Sequence, residues 1–181
     1  MFPQPQLRWL DDAMAAVSDL HLDQRPDPVR RHHGLRGGTT IERYLWRARR
    51  ILESLARTCA GRLRQAGLGV PEPAGAFYLF PDFSPVREEL RRRGIETSAQ
   101  LADRLLTECG VAGLPGSDFN REPGDLQMRF SLVDFDGAKA MAALETMPPD
   151  QPVDEPFVAT HCRGVIEGLQ RVATWVAEGA V

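Results

Sequence analysis

The chain has 181 residues, of which 43% are hydrophobic and 26% are charged, and a formal net charge of −3. This length fits one domain with its own core, and this composition is typical of a globular protein in water. The net negative charge argues against nucleic acid or an anionic membrane as a partner, and we expect neither. The three cysteines, Cys59, Cys109 and Cys162, have no close spacing, which favours a reducing, cytoplasmic location.

The first half of the chain shows helical spacing followed by one strand. Apolar residues predict a helix over Leu7–Val17, and residues 22–38 form a segment broken by proline and glycine. The next helix has the clearest pattern, an apolar stripe of Ile41, Leu45, Ala48, Leu52, Leu55, Cys59 and Leu63. Ala76–Phe80 is rich in aromatic and apolar residues and predicts a buried strand, with Tyr78 in the core.

The second half alternates short helices and strands. Helices are predicted over Ser84–Arg93, from Thr97 to a stop at Gly110, and over Gly137–Met147. Strands are predicted over Val111–Leu114 and Gln127–Val133. A final amphipathic helix is predicted from its apolar residues, which are Val165, Leu169, Val172, Trp175 and Val176. The pattern predicts an α/β fold, a small sandwich of about three strands covered by helices.

Arg129 is the candidate binding residue. Side chains of a strand alternate between its faces, so Met128 and Phe130 are expected to meet the helices while Arg129 faces an open cleft or a second domain. A guanidinium suits a carboxylate because its planar fork donates two parallel charge-assisted hydrogen bonds and keeps its proton. On the pattern alone, an exposed strand arginine without a ligand remains the alternative.

Three phrases of the sequence resemble a known family. They are Gly75–Phe83 (GAFYLFPDF), Gly110–Phe119 (GVAGLPGSDF) and Met128–Leu132 (MRFSL). In this order and spacing they resemble the C-terminal small domain of class I/II aminotransferases, which are pyridoxal-phosphate (PLP) enzymes of fold type I, such as aspartate aminotransferase. Ile41–Leu52 is similar to the long helix that precedes the glycine-aromatic strand in that family.

The resemblance implies a domain organisation. It covers roughly residues 1–146, with the small-domain core over 41–146. A proline-rich linker is expected over 147–156, and an additional C-terminal helix over 157–181. Within the core, Pro115–Ser117 is expected to be a tight turn, which in the family shapes the loop that brings the small domain over the active site.

The resemblance also implies a function. Arg129 corresponds to the arginine that grips the substrate α-carboxylate during PLP-dependent amino-group transfer between an amino acid and a 2-oxo acid. The chain has a single lysine, Lys139, which is expected to be a solvated helix residue, and nothing resembles the family's cofactor-anchoring lysine motif. We therefore expect no catalytic and no cofactor-binding residue, no PLP bound by the chain alone, and an inactive, truncated part of an aminotransferase. Its partner would be a complementing large-domain chain or a second copy.

Other sites and functions are weaker alternatives. A non-catalytic carboxylate-binding or interaction module derived from the same fold is the runner-up, and an arginine-rich nucleic-acid binder ranks third. His32–His33 and His161–Cys162 lack zinc-ligand spacing, so no metal site is expected. Gly34–Thr40 precedes a helix but lacks the lysine of a phosphate-binding loop. Asn120 stands where the family commonly has glycine, so the local backbone is expected to differ.

Overall fold

The computed structural model describes residues 39–148 and 150–178. The chain divides into two compact units, Met1–Tyr44 and Leu45–Val181, and the second contains the strands and all helices after the first. The predicted helix over Leu7–Val17 lies outside the described residues, and so does the glycine-rich stretch at residues 34–38.

Six α-helices and three short strands occur in the described part of the chain. The helices are α1 (Thr39–Gln65), α2 (Arg87–Arg92), α3 (Ser98–Cys109), α4 (Gly137–Glu145), α5 (Glu155–His161) and α6 (Arg163–Glu178). The strands are β1 (Tyr78–Leu79), β2 (Leu114–Pro115) and β3 (Met128–Ser131), and 3₁₀ turns cover Ser84–Val86 and Gly116–Phe119. This mixture confirms the predicted α/β class.

The three strands form one antiparallel sheet in the order β1-β3-β2. Tyr78 of β1 lies opposite Ser131 of β3, and Leu114 of β2 lies opposite Arg129. The strands are shorter than predicted, and the strand predicted over Val111–Leu114 begins only at its last residue. In this order β3 is the central strand, and both β1 and β2 place a residue next to Arg129.

Local signals in the sequence fix the helix ends. The Thr97 side chain accepts a hydrogen bond from the backbone N–H of Gln100, and the Gln100 side chain accepts one from the backbone of Thr97, which completes a capping box at the start of α3. Gly110 ends α3 with φ 64°, in the left-handed region that glycine adopts at low cost. The helix predicted from Ser84 begins instead as a 3₁₀ turn and becomes α-helical only at Arg87.

The core lies between the sheet and the helices. Leu55, Cys59 and Leu63 of the predicted α1 stripe are fully buried, whereas Leu45 near the start of that helix is 42% exposed. The largest fully buried side chains of the core are those of Phe83, Phe130, Leu55, Leu63, Leu90, Ile95, Leu101, Leu105, Leu126, Met128, Leu132 and Val158.

The C-terminal segment folds as two helices. One additional helix was expected over residues 157–181, but α5 begins at Glu155, within the predicted linker, and Cys162 separates it from α6. The apolar face predicted for the last helix is confirmed, since its five apolar residues are buried. Among the described helices, none is long and apolar enough to cross a membrane.

Candidate functional site

Arg129 projects from the face of the sheet that is opposite the core. Its neighbours along β3, Met128 and Phe130, are 0% and 2% exposed, whereas Arg129 is half-buried and Ser131 is exposed. This alternation confirms the predicted faces of the strand. The guanidinium therefore lies where a molecule outside the core can reach it.

Two aromatic rings flank the Arg129 guanidinium. Its central carbon lies 4.5 Å from the centre of the Tyr78 ring and 4.2 Å from the centre of the Phe119 ring. Tyr78 belongs to β1, and Phe119 ends the 3₁₀ turn that follows β2, so the rings come from opposite sides of the central strand. The prediction that Tyr78 belongs to the core is wrong: its side chain is 36% exposed and lies beside Arg129.

The loop after β2 is anchored so that Phe119 reaches the arginine. The Gly116 N–H donates to the carbonyl of Gln127 at 2.8 Å, which joins the turn to the residue before β3. The Ser117 N–H donates to the hydroxyl of Ser98, a buried residue of α3, at 3.4 Å. The Phe119 ring also meets the edge of Phe80 at a centroid distance of 5.8 Å.

Asn120 ends the turn in the left-handed conformation. Its φ is 57° and its ψ is 29°, values that glycine adopts freely and asparagine tolerates better than most residues. Its N–H donates to the carbonyl of Gly116 and closes the turn. Asn120 thus takes a left-handed conformation that glycine also favours, and the expectation that this backbone differs from that of the family stays a prediction.

Two glycines, Gly113 directly before β2 and Gly116 directly after it, allow this segment to lie against β3. A Cβ atom on Gly113 would come within 2.7 Å of the Phe130 ring and 3.0 Å of the Met128 methyl group. A Cβ atom on Gly116 would come within 3.1 Å of Gln127. Contacts this short require the neighbours to move, so both positions favour glycine. The predicted turn from Pro115 is therefore tight, and it continues as a 3₁₀ turn to Phe119.

The charge of Arg129 is not neutralised by the part of the chain that the structure describes. No carboxylate among those residues lies within 4.0 Å of its guanidinium nitrogens. Other arginines have acidic partners, as in the ion pairs of Arg62 with Glu155 at 2.7 Å and of Arg64 with Glu72 at 2.9 Å. Arg129 can therefore offer its N–H donors to an external anion.

Lys139 does not belong to this site. It lies in the first turn of α4, its side chain is 83% exposed, and its ammonium group is 3.3 Å from the Asp136 carboxylate. Asp136 also accepts a hydrogen bond from the Lys139 backbone, and these contacts with Lys139 hold the pKa of the Asp136 carboxyl below its usual value. Lys139 is the solvated helix residue that the sequence predicted.

The cysteine and histidine residues form no reactive centre in the described part. Burial raises the pKa of Cys59 to about 12 and the pKa values of Cys109 and Cys162 to about 11, and all three thiols are free. A buried, protonated thiol is a poor nucleophile and a poor metal ligand. His161 packs against the Phe157 ring, and no metal-binding cluster occurs among residues 39–148 and 150–178. His32–His33 lies outside those residues.

A separate groove of about 620 Å³ lies between α1 and the segment that leads into β1. Arg49, Glu53 and Arg57 line its helix side, and Pro73–Phe77 lines the other side. Arg57 and Glu53 form an ion pair at 2.8 Å across one helical turn. The helix side of the groove therefore carries one ion pair and one further arginine, Arg49, and Arg129 is not among the lining residues.

The sequence did not identify Tyr78 and Phe119 as partners of Arg129. Tyr78, Leu79 and Phe80 are all apolar or aromatic, so no alternation of polar and apolar residues marks the face of each side chain. Phe119 lies in a turn, where strand or helix periodicity gives no information. The available signal is that Tyr78 and Leu114 lie in segments predicted to be strands, whose pairing with β3 only the structure gives.

Comparisons with known proteins agree with the resemblance seen in the sequence. A family model described as aminotransferase class I and II matches residues 33–142. The chain is 32% identical over 111 residues to an aspartate aminotransferase of Bacillus sp. (strain YM-2), a match that covers 60% of the chain and 28% of that protein.

Two further relatives carry similar names. A probable aspartate/prephenate aminotransferase of Aquifex aeolicus is 41% identical over 66 residues, which cover 36% of the chain and 15% of the relative. An aspartate aminotransferase of Streptomyces avermitilis is 32% identical over 82 residues, which cover 45% of the chain and 20% of the relative. The matched part of the chain thus spans less than a third of each relative's length.

Proposed function

Because the chain belongs to the class I and II aminotransferase family, we propose that it supplies the substrate-binding small domain, the C-terminal part, of a PLP-dependent aminotransferase. Arg129 binds the α-carboxylate of the substrate in this proposal. The reaction is the transfer of an amino group between an amino acid and a 2-oxo acid. The relatives' names, aspartate and aspartate/prephenate aminotransferase, suggest aspartate as the first amino acid to test.

The position of Arg129 is the observation that carries this proposal. Its guanidinium is half-buried on the outward face of β3, and no acidic partner lies within 4.0 Å among the described residues. A guanidinium edge matches a carboxylate with two parallel N–H···O hydrogen bonds, and it stays charged at every physiological pH. Every amino acid and every 2-oxo acid of this reaction has such a carboxylate.

The residues present do not fit the attachment of PLP. The cofactor needs a lysine for its Schiff base, an acid for the pyridine nitrogen and donors for its phosphate. The sequence has one lysine, Lys139, which is exposed on α4 and paired with Asp136. The cofactor's lysine therefore has to come from residues other than these 181, and we propose that these residues alone do not catalyse transamination.

Exposed apolar residues on the outward face of the sheet favour a partner surface that covers this face. Tyr78, Leu114 and Val133 on or beside this face are 36%, 44% and 52% exposed. Apolar surface of this kind favours contact with another protein surface. We propose that the cofactor-binding part of an aminotransferase, in the same or a complementing chain, or a second copy covers it. The free and buried cysteines suit a reducing compartment such as the cytoplasm.

Calorimetry tests the role of Arg129. The wild-type protein is titrated with L-aspartate and with the α-amide of L-aspartate, which has the same side chain but no charged α-carboxylate. We expect binding of L-aspartate, no measurable binding of the amide, and at least about a ten-fold loss of affinity in Arg129→Ala, because hydrogen bonds to a charged group are removed. Arg121→Ala is the matched control, since Arg121 is an exposed arginine of the neighbouring loop. Equal affinity for the acid and the amide would contradict the proposal.

A non-catalytic carboxylate-binding module is the second candidate. The exposed position of Lys139 favours it, because that residue offers no site for a cofactor. The two candidates differ when a cofactor-binding partner of the aminotransferase family is added. Restored transamination supports the enzyme part, whereas carboxylate binding that no partner converts into transamination supports the module.

A further inference from the structure

We propose that Tyr78 and Phe119 are positioning residues that hold the Arg129 guanidinium with its N–H edge toward the ligand. This inference rests on the proposed function of Arg129 as a carboxylate-binding residue. Neither aromatic residue needs to touch the carboxylate. Their action is through the arginine, by restricting the plane in which its donors lie.

Both rings contact the same guanidinium. The Arg129 central carbon is 4.5 Å from the Tyr78 centroid and 4.2 Å from the Phe119 centroid. Both distances lie within the range of cation–π contacts. Two other arginines of the described part, Arg50 and Arg93, each contact one tryptophan ring. A guanidinium beside rings from two sides of its strand has fewer orientations than one beside a single ring.

Tyr78 is held by the sheet. It lies opposite Ser131 in the antiparallel register of β1 and β3, so its ring is diagonal to Arg129 on the same face. The next residue, Leu79, is 4% exposed and fixes the strand against the core. Phe77 adds a ring contact with Tyr78 at a centroid distance of 4.1 Å. The tyrosine ring is therefore supported on its strand and by its neighbour.

Phe119 is held by the loop and by a second ring. The Phe80 and Phe119 rings meet at an angle of 83° with 5.8 Å between their centroids, an edge-to-face arrangement. Asn120 closes the turn directly after Phe119 through its hydrogen bond to Gly116. Phe119 thus has a supported position that does not depend on a bound ligand.

The consequence for binding follows from the shape of the guanidinium. Its five N–H donors lie in one plane, and no hydrogen bond within the described residues occupies them, so they stay free while the two rings lie beside the guanidinium. A planar carboxylate bonds this edge through two parallel hydrogen bonds. Because the arginine is ordered before the ligand arrives, less side-chain entropy is lost on binding, and affinity rises.

Four variants of the full chain test the positioning role. Tyr78→Leu and Phe119→Leu remove one aromatic ring each, whereas Tyr78→Phe and Phe119→Tyr keep a ring. We expect each leucine variant to bind L-aspartate roughly two- to five-fold more weakly, as loss of one exposed cation–π contact implies, and each ring-preserving variant to bind as the wild type does. Circular dichroism establishes that every variant is folded.

A measurement without ligand separates this inference from the proposed function. The ¹H–¹⁵N heteronuclear NOE of the Arg129 Nε–H group reports its ordering, and we expect a rigid group in the wild type that becomes mobile in both leucine variants. A group that is equally mobile in the wild type and in every variant would overturn the positioning role. If the wild type bound no carboxylate, but Arg129 were rigid in it and mobile in both leucine variants, the proposed function would be overturned while the ordering of Arg129 by the two rings would stand.

Discussion

The indole N–H of Trp175 donates to the Oε2 atom of Glu108 at 2.6 Å. This hydrogen bond joins α6 to the C-terminal end of α3. The Arg93 guanidinium covers the Trp175 ring at 4.6 Å and donates to the Trp175 carbonyl at 3.2 Å. Arg104 forms an ion pair with the same Glu108 carboxylate. These contacts connect α6 to α3 and to Arg93, the residue after α2.

Helix α6 lies beyond the part of the chain that the family model matches, which ends at residue 142, whereas Arg93, Arg104 and Glu108 lie within it. Arg171 of α6 adds a hydrogen bond of 2.8 Å to the carbonyl of Cys109, the last residue of α3. A carbonyl at a helix end has no partner within its own helix, so a donor from α6 stabilises that end. We infer that α6 stabilises α3, whose start is connected through Ser98 to the loop of Phe119.

The first prediction concerns Trp175→Phe, which removes the indole donor and keeps an aromatic ring. We expect the free energy of unfolding to fall by about 1 to 2 kcal/mol, since a hydrogen bond to a charged group is lost at a largely buried position. Urea unfolding followed by circular dichroism measures the change. Trp46→Phe is the matched control, because Trp46 is 46% exposed and should change stability by less than about 0.5 kcal/mol.

The same variant should have a characteristic pH dependence. The hydrogen bond from Trp175, together with Arg104, holds the pKa of the Glu108 carboxyl below its usual value. A carboxyl whose pKa is lower in the folded state adds stability above its unfolded-state pKa and loses it as the pH falls through its folded-state pKa. The stability gap between wild type and Trp175→Phe should therefore be full at about pH 7 and shrink in the acidic range. A gap that grows with acid would contradict this origin.

Much of the fold could be predicted from the sequence because its signals are local. The capping box at Thr97, the stop at Gly110 and the alternation around Arg129 each depend on residues a few positions apart. The sequence does not predict the break of the C-terminal segment at Cys162, since helical composition continues through it and the nearest glycine, Gly164, lies inside the next helix. Strand lengths were overestimated because pairing depends on the partner strand, which the sequence does not locate.

The site could be predicted only in part for the same physical reason. The outward direction of Arg129 follows from the two-residue period of a strand. Its ring partners depend on pairing between β1 and β3 and on a loop closed by a left-handed Asn120. These are contacts between residues far apart in the chain, or in turns without periodicity. The sequence therefore predicts a core position for Tyr78, although its ring lies beside the Arg129 guanidinium.

The second prediction concerns Gly113→Ala. The added methyl group would lie within 2.7 Å of the Phe130 ring, a distance that forces the ring or the loop to move. We expect a loss of about 1 to 3 kcal/mol in the free energy of unfolding, which is the usual cost of overpacking. Gly124→Ala is the control, because a Cβ atom at Gly124 has no neighbour within 4 Å. Equal thermal midpoints of the two variants would show that the loop does not press on β3.

The third prediction concerns the left-handed turn at Asn120. Asn120→Gly should change the free energy of unfolding by less than about 0.5 kcal/mol, whereas Asn120→Ala should lower it by about 1 kcal/mol, because a Cβ atom without a local polar partner disfavours positive φ. Thermal unfolding of the two variants measures the difference. If alanine were tolerated as well as glycine, the turn would have to adopt another conformation in solution.

The fourth prediction concerns Lys139 and PLP. Amines that form Schiff bases in enzymes are desolvated or lie next to another cation, conditions that favour the uncharged nucleophile. Lys139 is 83% exposed and has a carboxylate, that of Asp136, at 3.3 Å. Incubation of the 181-residue protein with PLP, borohydride reduction and mass spectrometry should therefore give no stoichiometric adduct on Lys139. Lys139→Ala provides the background of the measurement. Full modification of Lys139 in the wild type would contradict this prediction, because it would show that Lys139 forms a Schiff base with the cofactor aldehyde.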